Sequence, residues 1–200
     1  MNNIIAITVG EQTVCPHELT VVTEVRPDFL PQATFVQSEG RMALLYSREN
    51  LTPLARYGED ATGATLTGIF ELLTGYIRSL IAARDMLLDT RLLSSDPEEG
   101  VFVSRYTGPA AAYGAVSSPH VNAKVKTIWG ADAIPDEGEK ICRIAQTLAG
   151  RERVMGAKKS MERISQIIRS ESPSLLNCLK AAESVCREWN HIVAAPKAES

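Results

Sequence analysis

Three stretches of this chain hold residue types that could do chemistry. The first is Ala83-Arg84-Asp85-Met86-Leu87-Leu88-Asp89-Thr90-Arg91-Leu92-Leu93, in which the Asp85 carboxylate beside Arg84 offers a base or a cation ligand. The plain alternative is a solvated residue at a helix end, paired with Arg84, Arg91 or another nearby cation. The second is Gly156-Ala157-Lys158-Lys159-Ser160, which looks like the end of a phosphate-binding loop. That loop needs a glycine, four residues, then Gly-Lys-Ser/Thr after a strand. Here Gly150 is one residue too far away, Ala157 intervenes, and the preceding segment reads as helix. A helix start with a solvated lysine pair fits better. Arg151, Arg153, Lys158, Lys159 and Arg163 make a basic cluster suited to phosphate or an acidic partner, yet Glu152 and Glu162 interleave as on an ordinary exposed face.

The third stretch is Cys15-Pro16-His17. A zinc site would use paired ligands on a short knuckle, and the other thiols, Cys142, Cys178 and Cys186, are scattered without Cys-x-x-Cys spacing. Cys15 as a nucleophile lacks an identifiable carboxylate partner. His120 and His191 stand alone. The expectation is no metal, no cofactor and no catalytic residue, with reduced thiols in a cytoplasmic protein.

The elements that must position these residues follow from periodicity. Ile4–Val9 and Thr20–Val25 are rich in β-branched residues and read as strands, with Cys15–Glu18 as a turn between them. Ala33–Gln37 and Arg41–Tyr46 flank Ser38-Glu39-Gly40 and read as a hairpin. Asn50–Thr65 is a connector. The period then changes to 3.6: Leu66, Ile69, Phe70, Leu73, Tyr76, Ile77, Leu80 and Ile81 share one helical face, with Thr62 or Thr65 as cap and Gly68 and Gly75 permitting close packing. Asp96–Gly100 turns the chain into a strand over Val101–Tyr106. Thr107–Pro119 is rich in Gly, Ala, Ser and Pro, and reads as a linker. Val121–Ile134 alternates weakly, like a strand. Ile141–Leu148 forms a helix ending at Gly150 as a left-handed cap, and Met155–Ile168 a second helix. Ser172-Pro173 signals the start of a third, whose stripe Leu175, Leu176, Leu179, Ala182, Val185, Cys186, Trp189 and Ile192 runs to Pro196. Trp189 reads as core; the alternative is an anchor on an interface helix.

Composition narrows the classes. The 200 residues are 44% hydrophobic and 22% charged, enough for a core, and the net charge of −3 favours neither nucleic acid nor an acidic membrane. The N-terminal residues lack the pattern of a secretory signal, and no apolar run approaches the ~18 residues of a membrane helix.

The order of hairpin, connector, amphipathic helix, Leu-Leu-Asp loop and strand carries a resemblance. Its residues are Phe29-Leu30-Pro31, Met42-Ala43-Leu44-Leu45-Tyr46, Leu51-Thr52-Pro53-Leu54, the helix from Leu66, Met86-Leu87-Leu88-Asp89 and Val101-Phe102-Val103. Over roughly Asp28–Tyr106 the chain resembles a bacterial domain of unknown function usually found N-terminal to forkhead-associated (FHA) domains. It is also similar to the kinase-like cytosolic part of a type VII secretion subunit. The resemblance implies a degenerate kinase fold. Phosphoryl transfer needs a base and Mg²⁺ ligands in the loop after the long helix. Arg84 and Asp85 match the Arg-Asp pair, but Ala83 stands for its histidine, Leu87 for the lysine and Thr90 for the metal-binding asparagine. Arg105-Tyr106-Thr107 replaces the Asp-Phe-Gly that should follow the strand. A phosphate-covering glycine loop is missing, with Gly10 alone near the N-terminus, and Arg41–Tyr46 contains no lysine.

The expected architecture is therefore α+β. Residues 1–106 form a β-rich, kinase-like region with a hairpin and a long helix, 107–120 a linker, and 121–200 a mainly helical region packed on the first. The expected role is a non-catalytic adaptor or scaffold in bacterial signalling or secretion. Its partners would be proteins, among them a membrane or FHA-containing signalling subunit, without nucleic acid and without membrane insertion. Arg84, Asp85, Lys158, Lys159 and Trp189 are the candidate interaction residues. Two alternatives stand beside this: a nucleotide- or phosphate-binding protein with residual kinase-like activity using Asp85 and the Lys158–Lys159 region, and a self-association module built on Leu175–Ile192 that forms a homodimer.

Overall fold

The computed structural model describes residues 3–10, 14–57, 66–105, 123–131, 134, 136–151 and 154–194. The fold is α+β, with two three-stranded antiparallel sheets and five α-helices among the described residues. The first sheet has the order β1-β3-β2, from β1 (Ile4–Val9), β2 (Ala33–Ser38) and β3 (Arg41–Ser47). The expected hairpin is β2–β3, in the register Ala33↔Tyr46 to Ser38↔Arg41, and its turn places both Glu39 and Gly40 at positive φ. Leu44 and Tyr46 of β3 are buried and fix which face of the sheet is inward. The second sheet has the order β4-β5-β6, from β4 (Leu51–Pro53), β5 (Val101–Arg105) and β6 (Ala123–Thr127). The weak alternation after Val121 thus yields a strand. The expected linker, 107–120, lies outside the described residues, as do Tyr106, the caps Thr62 and Thr65, His120 and Pro196.

The segment Thr20–Val25 is not a strand. α1 (Pro16–Thr20) continues into one wider turn over Val21–Val25, closed by Arg26 N–H bonding Val21 O at 3.0 Å with Arg26 in the left-handed region. The expected turn at Cys15–Glu18 is the helix start: Pro16 presets φ, and the Glu18 carboxylate accepts the Cys15 N–H at 3.1 Å. These local start signals outweigh the β-branched run, and Val21 and Val22 are buried from the helix instead.

α2 (Leu66–Asp85) is the central element. α3 (Glu137–Ala149), α5 (Leu175–Ala194) and β6 all pack on it, and α4 (Ala157–Glu171) packs on α3 and α5. By length and composition α2 is apolar enough to cross a membrane, contrary to the reading of apolar runs above; 61% of its most apolar window is buried inside the fold. Gly75 lets β6 approach: a Cβ there would sit 3.2 Å from Val125 Cγ2. Gly100 is forced by closer contact, since a Cβ would sit 1.8 Å from Ser94 Oγ.

Three helix boundaries differ from expectation. Gly150 ends α3 with φ −68, without the left-handed turn. Met155 lies before α4 and is 82% exposed. Ser172 closes α4 in the left-handed region, so Ser174 opens α5, its Oγ accepting Asn177 N–H at 3.4 Å. The α5 stripe is used within the fold: Leu175, Cys178, Ala182 and Val185 are buried, with Leu179 and Cys186 packed beside them and Leu176 exposed.

Candidate functional site: the loop after the central helix

α2 stops because its last carbonyls are closed by a left-handed residue. Leu88 N–H bonds Ala83 O and Leu87 N–H bonds Arg84 O, both at 2.9 Å, with Leu87 at φ 57. The Leu87 side chain is thereby thrown outward, 76% exposed. Where the resemblance calls for a cationic lysine, the chain holds a bare leucine in a backbone conformation that disfavours it.

The loop that follows is bonded at nearly every residue. Glu18, itself buried, accepts the Asp89 N–H on Oε1 at 2.8 Å. His17 Nε2 donates to Met86 O at 2.9 Å. Trp129 Nε1 donates to Asp89 O at 3.2 Å, and Trp129 O accepts the Tyr46 hydroxyl at 2.5 Å, which ties the loop to β3. Burial pushes the Tyr46 phenol well up from its ordinary value. Arg91 folds back on Asp89 (Nη2–Oδ2 2.7 Å, Nε–Oδ1 3.0 Å), while Asp89 Oδ1 also accepts the Arg91 N–H and caps the short 3-10 turn Thr90–Leu92. That guanidinium holds the Asp89 carboxyl below its usual range. Leu93 then forms a single bridge to Trp129.

α3 supplies the other side of the clamp. Glu137 Oε1 accepts from Thr90 Oγ1 at 2.6 Å and from Arg84 Nε at 3.0 Å, and Arg84 Nη2 reaches Glu137 Oε2 at 2.9 Å. Lys140, with no exposed surface, donates from Nζ to Arg91 O at 3.1 Å and to Leu93 O. Desolvation lowers its pKa to about 8, partly offset by the Glu137 and Asp89 charges. Lys140 falls at helical spacing with Ile144 and Leu148 on the buried face of α3. A charged residue in an apolar stripe was the signal in the sequence for this clamp. Glu18 and Trp129 gave none.

The candidate residues do not converge. Arg84 is spent on Glu137. Asp85, the last residue of α2, is exposed, and its carboxylate makes no hydrogen bond or ion pair among the described residues. Arg84 lines an open cleft of about 470 Å³ with Asp136, Glu137, Arg169, Ser174 and Cys178, at the C-terminal end of α4. Lys158 and Lys159 are exposed at the opposite end of α4, roughly 20 Å away at 1.5 Å per residue. Trp189, half-buried, lies over Gly156: a Cβ there would meet the indole at 2.3 Å, and Gly156 has φ +83. Trp189 therefore fastens α5 to the start of α4. Cys15 is exposed, and Cys142 and Cys178 are buried thiols, the latter pushed up to about 11 by desolvation. Among the described residues no group of three or more His, Cys, Asp or Glu is placed to hold a metal ion. No family model matches this chain, and no curated protein does.

Proposed function

We propose that this protein is a non-catalytic adaptor of degenerate kinase-like arrangement, binding protein partners in bacterial signalling or secretion. What supports the reading is where the polar groups of the loop after α2 are spent. A phosphoryl-transfer loop must leave a carboxylate and its metal ligands free to meet substrate. Here Asp89 is occupied by Arg91, Thr90 by Glu137, and the carbonyls of Met86, Asp89, Arg91 and Leu93 by His17, Trp129 and Lys140. The remaining carboxylate, Asp85, follows Arg84, which lines the cleft at the C-terminal end of α4, whereas the lysine pair that the nucleotide-binding alternative would recruit lies at the start of that helix, which is about 20 Å long at 1.5 Å per residue. The cytoplasm and an FHA-containing or membrane-bound subunit are the setting this proposal carries with it.

The test is thermal melting of the whole protein with ATP, GTP and ADP, each with and without Mg²⁺. A ligand that binds only the native state stabilises by about 2.7 kcal/mol at a hundredfold excess over Kd. The adaptor reading expects no shift under any condition. A Mg²⁺-dependent shift abolished by Asp85→Asn would overturn it.

A further inference from the structure

We infer that the open edge of β1 is a self-association site, pairing antiparallel with β1 of a second copy. This rests on the strand itself and not on the adaptor reading.

Among the described residues β1 ends its sheet, hydrogen-bonded to β3 alone. The register Ile4↔Ser47, together with Arg48 N–H bonding Asn3 O at 2.7 Å, sets the alternation. Asn3, Ile5, Ile7 and Val9 turn their backbone groups to β3. Ile4, Ala6 and Thr8 turn theirs to the open edge. Sheet edges are ordinarily blunted by charge, proline or a bulge. The run Ile4-Ile5-Ala6-Ile7-Thr8-Val9 has no charge, no proline and no glycine, and its pairing with β3 is continuous. The other edge strand, β2, is in contact with the turn Val21–Val25.

The chemistry selects a second copy as occupant. A twofold contact sets each residue against its own kind, so a charged patch repels itself and an uncharged one does not. On the outward face Ile4, Ala6, Thr8, Thr34, Val36, Ala43 and Leu45 are uncharged, with Arg41 at the far end. Ile4 there is 59% exposed. The free backbone groups also fix the register. Antiparallel exchange between Ile4, Ala6 and Thr8 of two copies sets Ala6 opposite Ala6 on the twofold axis and Ile4 opposite Thr8, with about six new hydrogen bonds. Ile5 then faces Ile7 on the inward side, where both are half-buried, a β-branched pair across strands. The result is one continuous sheet, β2-β3-β1 joined to its twofold image.

Sedimentation equilibrium on the full chain, over a concentration series, tests this with two variants. Ala6→Pro deletes the N–H that faces the open edge and leaves the β1–β3 bonds untouched. Ala6→Lys sets two ammonium groups opposite each other on the axis. The wild type is expected to double its mass with concentration. Ala6→Pro should weaken the dimer by at least about tenfold at any salt. Ala6→Lys should weaken it at low salt and recover as screening rises. If Ala6→Pro fails to fold, the salt recovery of Ala6→Lys decides. A wild type that stays monomeric throughout, or a dimer indifferent to both variants, overturns the inference, and in the first case the edge is left to an extended segment of another protein.

Discussion

The loop after α2 and the start of α4 both carry residues that suggest phosphate chemistry, and the fold holds them in opposite ways. The loop is fastened by hydrogen bonds: Glu18, His17, Trp129, Glu137 and Lys140 each take one or more of its polar groups. The start of α4 is fastened by packing: the Trp189 ring lies on Gly156, and Lys158 and Lys159 remain in solvent. The same kind of motif therefore means different things. In the loop Arg84, Asp89 and Thr90 are structural because their bonding capacity is used, while Asp85 stays exposed. At α4 they are free, but nothing built surrounds them. Asking where each polar group's hydrogen bonds go separates the cases better than spacing does.

The packed region should be the more easily broken. Gly156→Ala adds a Cβ 2.3 Å from the indole and strains a φ of +83. A loss of about 3 kcal/mol in urea unfolding is expected, from overpacking and left-handed strain together. A loss under about 1 kcal/mol would show that Trp189 moves aside freely, and would remove the packing half of the contrast.

Next in size is Lys140→Met, which keeps the aliphatic stem and leaves Arg91 O and Leu93 O without their donor. About 2 kcal/mol of destabilisation is expected near neutral pH. The pH dependence identifies the group. The folded pKa, about 8, lies below the ordinary lysine value of 10.5, so the unfolded chain binds more protons between those two values. Wild-type stability therefore gains from Lys140 as pH rises through that window. The gap between wild type and Lys140→Met should widen by at most about 1.4 kcal/mol per pH unit. A gap that is flat from pH 8 to 10 would mean that Lys140 is no more desolvated than a surface lysine.

The fold was legible where one signal dominated. The 3.6 period from Leu66, the β2–β3 hairpin and the three C-terminal helices follow from patterning that burial then obeys. It misled where two local signals competed. Thr20–Val25 has strand propensity, but Pro16 and Glu18 start a helix upstream that runs through it. Ser172-Pro173 has the form of a helix start, yet Ser172 is taken by the end of α4 and Ser174 does the capping. For the site, the sequence marked out the loop after α2 but not its clamp. Glu18 is 71 positions from Asp89 and Lys140 is 49 from Arg91, and pairings over such distances leave no local trace.

Two milder substitutions sharpen the hydrogen-bonded side. Glu18→Gln keeps an acceptor for one of the Asp89 and Cys15 N–H groups and removes the charge from both. About 1–2 kcal/mol should be lost in thermal or urea melts, less than for Lys140→Met. Asp89→Asn keeps the cap on the Arg91 N–H and gives up the ion pair, which is half in solvent. Less than about 1 kcal/mol is expected at neutral pH. Asp89 has a folded pKa below its unfolded value, so its contribution is present above the ordinary carboxylate range and is lost as pH falls through it. Wild type and Asp89→Asn should converge in acid. Divergence there would mean that the cap, and not the charge, carries the interaction.

The smallest effect decides whether the start of α4 is as empty of function as its surroundings suggest. Lys158→Ala and Lys159→Ala, combined, touch no hydrogen bond and no ion pair. Away from the N-terminal dipole of α4 a lysine is neutral to stability, and within the first turn two cations oppose it. The double variant should therefore melt within about 0.5 kcal/mol of wild type or slightly above it. Adding inorganic phosphate or pyrophosphate should shift both proteins equally. If phosphate stabilises wild type and not the variant, the exposed pair is a real anion site despite the absent glycine loop. The contrast between the two regions would then be one of accessibility, with the bonded loop closed to ligand and the packed helix start open to it.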